Sequence, residues 1–174
     1  MMKKLRRLGR AGYTLTEMMV VVAILGILAL VGPPMMIGLQ NFFLMTSARY
    51  EIQRDARASL DVINRFLRES YQTSIVIDTP AGEGPYSHIA FKLVDGREME
   101  FYQSGRSLIQ KVTNAAGTSS TTNTISSNLI YIAFTFPHTD DVSIVSVAIT
   151  MGKNIQLGRQ KVLELTVQKV RIMN

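Results

Sequence analysis

The chain contains no cysteine among its 174 residues. That excludes a disulfide-stapled domain, a thiol nucleophile and a zinc–thiolate site. Histidine is nearly absent as well. His88 and His138 stand alone, with no second imidazole at ligand spacing, so a packing or surface role is expected for both. Asp140 and Asp141 are adjacent acids without the spread of oxygen ligands that calcium requires. No metal and no cofactor is expected. A serine-centred nucleophile elbow, a phosphate-cradling glycine loop and a close carboxylate pair in a pocket-like context are all missing, so the reading is of a chain that is not an enzyme. No internal repeat is evident.

Two further absences organise the N-terminus. Residues 1–12 contain no acid but carry Lys3, Lys4, Arg6, Arg7 and Arg10. Met18 to Leu39 then contains no charge of either sign over 22 residues. At about 1.5 Å per residue, such a helix crosses a hydrocarbon core of roughly 30 Å. Glu17 stands immediately before it.

Three readings compete for this stretch. A secretory signal peptide has a basic start, but its apolar core is only about 7–15 residues and ends in a small-residue cleavage site. Here the sequence stays apolar through Met35, Met36 and Ile37. A plain single-span anchor leaves Glu17 unexplained, because a carboxylate within a span costs roughly 2.5–3.5 kcal/mol. The third reading is a cut after Gly12. Tyr13 then gains a free amino group four residues before Glu17, and residues four apart share a helix face. The carboxylate can neutralise that amine, or the amine of a neighbouring copy.

These residues carry a resemblance. Gly12-Tyr13-Thr14-Leu15-Thr16-Glu17, followed by the apolar run, resembles the type III signal of type IV pilins and type II secretion pseudopilins. The resemblance implies that a membrane prepilin peptidase/methyltransferase cuts after Gly12 and N-methylates Tyr13. It also implies that Glu17 promotes assembly into a helical filament. Tyr13 replaces the family's usual Phe, and Thr16 stands where Ile or Val is more usual. Pro34 falls at a position where the family commonly has Pro. The likeness is strong over about the first forty residues, and beyond them it extends only to architecture.

Charge supports a topology rather than a nucleic-acid partner. Removing residues 1–12 takes five of 19 basic residues and none of 13 acids, which moves the net charge from +6 to +1. A positive flank before a first span keeps that end cytoplasmic, so the part after Leu39 is expected in the periplasm. The basic residues of the remainder are dispersed, and no nucleic-acid binding is expected. Expected partners are the peptidase, other pilin or pseudopilin subunits, an inner-membrane assembly platform and membrane lipid.

The rest reads as α+β. Pro33 and Pro34 remove two backbone donors and are expected to kink the helix. Helical spacing resumes beyond them as a stripe of Ile52, Ala56, Leu60, Ile63, Leu67 and Tyr71, with charged residues on the other faces. Residues Leu15 to Tyr71 therefore read as one kinked helix whose second half lies on a sheet. After Tyr71 the period becomes two. Strands are expected at Ser74 to Asp78, about Ile89 to Leu93, Arg97 to Gln103, Ser107 to Val112, Leu129 to Phe136, Val142 to Met151 and Gln160 to Ile172. Asp95-Gly96 and Ser104-Gly105 are the turn signals. Thr113 to Asn128 is rich in Asn, Ser, Thr and Gly and reads as a flexible loop.

The expected organisation is a cleaved leader (1–12), a transmembrane assembly half (13–39), an amphipathic half (40–72) and an antiparallel β-sheet domain (73–174). The resemblance then implies a minor pilin or minor pseudopilin in a pilus-like or secretion filament, similar in proportions to J-type or W-like subunits. The competing class is a single-span anchored periplasmic binding or sensor protein. It predicts an uncut leader and a polar pocket in the outer domain.

Overall fold

The computed structural model describes residues 12–138, 141–155 and 159–173, with side chains described throughout except in 159–166. Residues 1–11 of the expected leader and Asp140 lie outside the described residues. The backbone separates into two units, Met1–Phe43 and Leu44–Asn174.

The first unit is helical from Leu15 onward. α1 spans Leu15–Arg68 and runs through Pro33 and Pro34 without interruption. The two prolines lack the N–H groups that would bond carbonyls one turn earlier. Every residue from Gly12 to Gln40 is exposed, including Leu25, Ile27, Leu28 and Leu30. The helix is long and apolar enough to cross a membrane.

In the second unit, α1 buries one stripe. Ile52, Ala56, Leu60, Ile63 and Leu67 are buried and join one core with residues of both sheets. The expected sixth member departs from this pattern: Tyr71 is outside the helix and 45% exposed. The chain leaves the helix after Arg68 because strand pairing competes for its backbone. The Tyr71 amide donates to Lys92 O and the Val94 amide to Glu69 O, at 3.0 and 3.1 Å. A single 3-10 turn, Gln72–Ser74, follows.

The strands form two sheets. The first holds β1 (Val76–Asp78), β2 (His88–Lys92), β3 (Glu98–Ser104), β4 (Ser107–Thr113) and β5 (Ser120–Ser126), in that spatial order. All neighbours are antiparallel. The second holds β6 (Leu129–Thr135), β7 (Ile144–Ile155) and β8 (Arg159–Arg171), again antiparallel and in chain order. One long helix packed on antiparallel sheets is the α+β, pilin-like architecture.

Both expected turns are present. Gly96 has φ +87° and Gly105 φ +58°, values that only a residue without Cβ adopts freely. Ser104 pairs with Ser107 across Gly105 and Arg106. Alternation also holds within strands: Met99 and Phe101 are fully buried.

The loop expected at Thr113 to Asn128 is corrected. It contains a turn and then β5, which pairs with β4 from Thr113↔Ser120 to Leu108↔Ser126. The Asn114 side chain holds the turn: its Oδ1 accepts from the Thr118 amide at 3.0 Å and from the Ser119 amide at 3.3 Å. Residues Ser120 to Thr124 are exposed, so this strand has no apolar alternation to betray it. Its β-branched threonines and its backbone pairing suffice.

The seam between the sheets is built around β6. Leu129 N donates to Arg106 O and Phe134 N to Tyr86 O, both at 2.9 Å. Between them Gln103 supplies a side chain in place of backbone. Its Nε2 donates to Ile130 O at 3.0 Å, and its Oε1 accepts from Ile132 N at 3.2 Å. The 79–87 segment is held against the same strand. The Tyr131 hydroxyl donates to Pro85 O at 2.8 Å, and a Cβ on Gly84 would run into the Tyr131 ring.

Candidate processing and assembly site

Gly12, Tyr13 and Thr14 precede α1 in non-helical, exposed backbone. Tyr13 is 81% exposed, and a Cβ on Gly12 would meet nothing within 4 Å. The peptide bond between Gly12 and Tyr13 therefore lies where an enzyme could reach an unwound chain.

Thr14 starts the helix as its N-cap. The Glu17 amide donates to Thr14 Oγ1 at 3.3 Å. In return, the Thr14 amide donates to Glu17 Oε2 at 2.8 Å and the Thr14 hydroxyl to the same oxygen at 3.0 Å. This is a reciprocal capping box, which satisfies backbone donors that a helix N-terminus otherwise leaves open. Thr16 Oγ1 lies 3.0 Å from Thr14 Oγ1.

In the full-length chain Tyr13 lies just outside the helix, and Glu17 is satisfied by Thr14. Sequence reasoning missed this partner, although Thr14-x-x-Glu17 before an apolar run is the capping-box signature. Gly12, Tyr13 and Glu17 lie within one short stretch, whereas Pro33 and Pro34 lie well inside α1.

Elsewhere several ionisable groups form structural contacts. On the outer face of the five-stranded sheet, His88 Nδ1 lies 2.5 Å from Asp78 Oδ1. Its Nε2 lies 3.7 Å from Glu100, which takes Lys111 Nζ at 2.7 Å. That hydrogen bond raises the Lys111 pKa above its ordinary value. Asp141 is held below its ordinary value by hydrogen bonds from Ser143. Glu51 pairs with Lys153, and Asn128 Nδ2 donates to Asp55 Oδ2 at 3.0 Å, tying α1 to the second sheet's side of the core. Among the described residues no group of three His, Asp or Glu side chains could hold a metal ion. A cleft of about 370 Å³ beside Tyr86 is lined by Ile77, Phe134, Thr135 and Phe136. It brings two hydroxyls and no ionisable acid–base pair.

No curated protein matches the chain. Residues 7–32 match the prokaryotic N-terminal methylation motif. The match spans the end of the basic stretch with Arg7 and Arg10, then Gly12, Tyr13, Glu17 and most of the apolar run. The chain thus carries a prepilin-type signal on a membrane-length helix, and this supports the family of pilins and pseudopilins, whose members are structural subunits rather than enzymes.

Proposed function

We propose that this protein is a minor pilin or minor pseudopilin. It is made as a precursor, cut after Gly12, N-methylated at Tyr13 and assembled through α1 into a pilus-like or secretion filament. One observation carries the reading. The methylation motif covers residues 7–32, and within that stretch Gly12 and Tyr13 lie in exposed, non-helical backbone directly before α1, which supports a cut between them.

In this reading the basic leader stays cytoplasmic and the β-sheet unit is periplasmic. Before the cut, Thr14 supplies hydrogen bonds to Glu17. After it, Tyr13 carries a new ammonium group, and Glu17 pairs with that group on a neighbouring subunit. The pair offsets two charges that are each costly in lipid and sets the register between helices. Exposed apolar side chains from Leu15 to Leu39 pack against lipid and then against other helices. Pro33 and Pro34 give the helix a point where it bends during this transfer. The prepilin peptidase, fellow subunits and an inner-membrane assembly platform are the partners.

The test is the N-terminal mass of the protein expressed with and without a prepilin peptidase. A chain beginning at N-methylated Tyr13, seen only with the peptidase, is the expected result. An intact Met1 in both samples would overturn the reading in favour of a single-span anchored protein.

A further inference from the structure

Among the described residues the two sheets end in outward strand edges at β1, β5 and β8. The open side of β6 is closed by Arg106, Gln103 and Tyr86. β1 has only three residues, and β5 is seven residues long and uncharged. β8 differs from both. It is a 13-residue strand whose backbone pairs with β7 from Arg159 to Arg171 with one register shift at Glu164, and among the described residues no strand pairs its other side. An unpaired edge of this length presents a row of open N–H and C=O groups.

Its charge is also distinctive. Arg159–Arg171 contains Arg159, Lys161, Lys169 and Arg171 against a single acid, Glu164. It therefore carries a net charge of +3, while the chain beyond residue 12 stands at only +1. At the described end, Val167, Lys169 and Arg171 are exposed, whereas Val170 and Ile172 are buried. Across the sheet, Lys169 faces Ser146, Val167 faces Ala148, and those two face Thr135 and Ala133. Beside this edge β7 thus presents Ile144, Ser146 and Ala148, with Ser146 buried, and none of the three is charged, so Lys169 and Arg171 are the charges at the edge. Asp141, before β7, attracts Arg171 from one end.

We propose that the outer edge of β8, at Val167 to Arg171, takes an extended acidic segment of a partner protein as a fourth strand of the three-stranded sheet. Strand addition supplies main-chain hydrogen bonds, and facing side chains supply selectivity. The charge decides the occupant. A second copy of β8 would set lysine and arginine against their own kind, which is unfavourable across a strand pair. Carboxylates opposite Lys169 and Arg171 reverse that sign. The same cations, as edge guards, keep the strand from pairing with itself. This inference does not depend on the leader being cut.

The experiment uses the full chain in detergent micelles and fluorescein-labelled peptides of about ten residues, the length of a typical edge strand. One peptide alternates Val and Thr with Glu, a second has Lys for Glu, and a third is the acidic peptide with N-methylated backbone amides. The acidic peptide is expected to raise anisotropy at low salt, with affinity falling as salt screens the pairs. The lysine and N-methylated peptides are expected not to bind. The K169E/R171E variant, checked for fold by circular dichroism, is expected to lose the acidic peptide by about tenfold or more, because two favourable cross-strand pairs become unfavourable. Absence of acidic-peptide binding overturns the proposal. Equal binding of the N-methylated peptide overturns strand addition, because charge alone then explains the capture. Unchanged binding by K169E/R171E overturns the assigned edge.

Discussion

The two halves of α1 use the same residue types for opposite ends. Leu25 is 59% exposed, and every residue around it is exposed. Leu67, on the same helix, is fully buried in the core that both sheets share. In the second half apolar residues recur at intervals of three and four, with charges between them. In the first half apolar residues cover every face. A helix that is apolar all round belongs in lipid or among other helices, while a striped helix belongs on one side of a core. Folding of the β-sheet unit therefore uses only the second half, and the first is left exposed, apolar and long enough to cross a membrane.

The largest test of this division is at the cut. Gly12→Val meets no steric obstacle within the protein, so fold and membrane association should be retained. Cleavage should be abolished, read as the persistence of Met1 in the mass spectrum. Efficient processing of the Val variant would break the link between the apolar half and assembly.

Next comes a matched pair of truncations. Leu67→Ala should destabilise the β-sheet unit by about 2–5 kcal/mol, the usual cost of removing a large buried aliphatic side chain. Leu25→Ala, at an exposed position, should leave the unit's thermal midpoint unchanged within about 0.5 kcal/mol. Its effect should appear in co-assembly with partner subunits. Equal losses of thermal stability in the two variants would erase the distinction between the halves.

A smaller effect is expected at the cap. Thr14→Val removes the two bonds that Thr14 Oγ1 makes with Glu17, keeps the one from the Thr14 amide, and should cost about 1 kcal/mol locally. Amide exchange in the first turn of α1 should then speed up several-fold, with no change at residues 52–67. Thr14→Ser, which keeps the hydroxyl, should restore protection.

The smallest effect concerns pH. The Arg97 amide donates to Asp95 Oδ1 at 3.0 Å and Arg97 Nε to Oδ2 at 2.6 Å, which holds Asp95 below its ordinary value of 3.8. A lowered carboxylate favours the folded state above its unfolded pKa, and that contribution is lost as pH falls through the folded value. The β2–β3 turn should therefore loosen only below about pH 4. Asp95→Asn should remove this acid sensitivity in a thermal-melt series. The same sensitivity in the Asn variant would mean that another group is responsible.

The parts legible in the sequence are those with a strong period or a chemically demanding residue. Ile52 through Leu67 announce the stripe, Gly96 and Gly105 announce their turns, and Met99 and Phe101 announce a half-buried strand. β5 was illegible because Thr121, Thr122 and Thr124 face solvent and the strand exists through pairing with β4. The helix end near Arg68 was misjudged by three residues because Glu69 and Tyr71 give their backbone groups to the neighbouring β2–β3 segment. At the candidate site Gly12, Tyr13 and Glu17 were visible as a pattern. Thr14 is less legible, because its role rests on hydrogen bonds to Glu17 rather than on charge or period.

Gln103 has a further consequence. Its side chain substitutes for a stretch of backbone between β3 and β6, and it protects the Ile132 amide even though that amide belongs to no strand ladder on that side. Deuterium uptake at Ile132 therefore times the parting of the two sheets rather than the fraying of either. One amide thus acts as a clock for that separation.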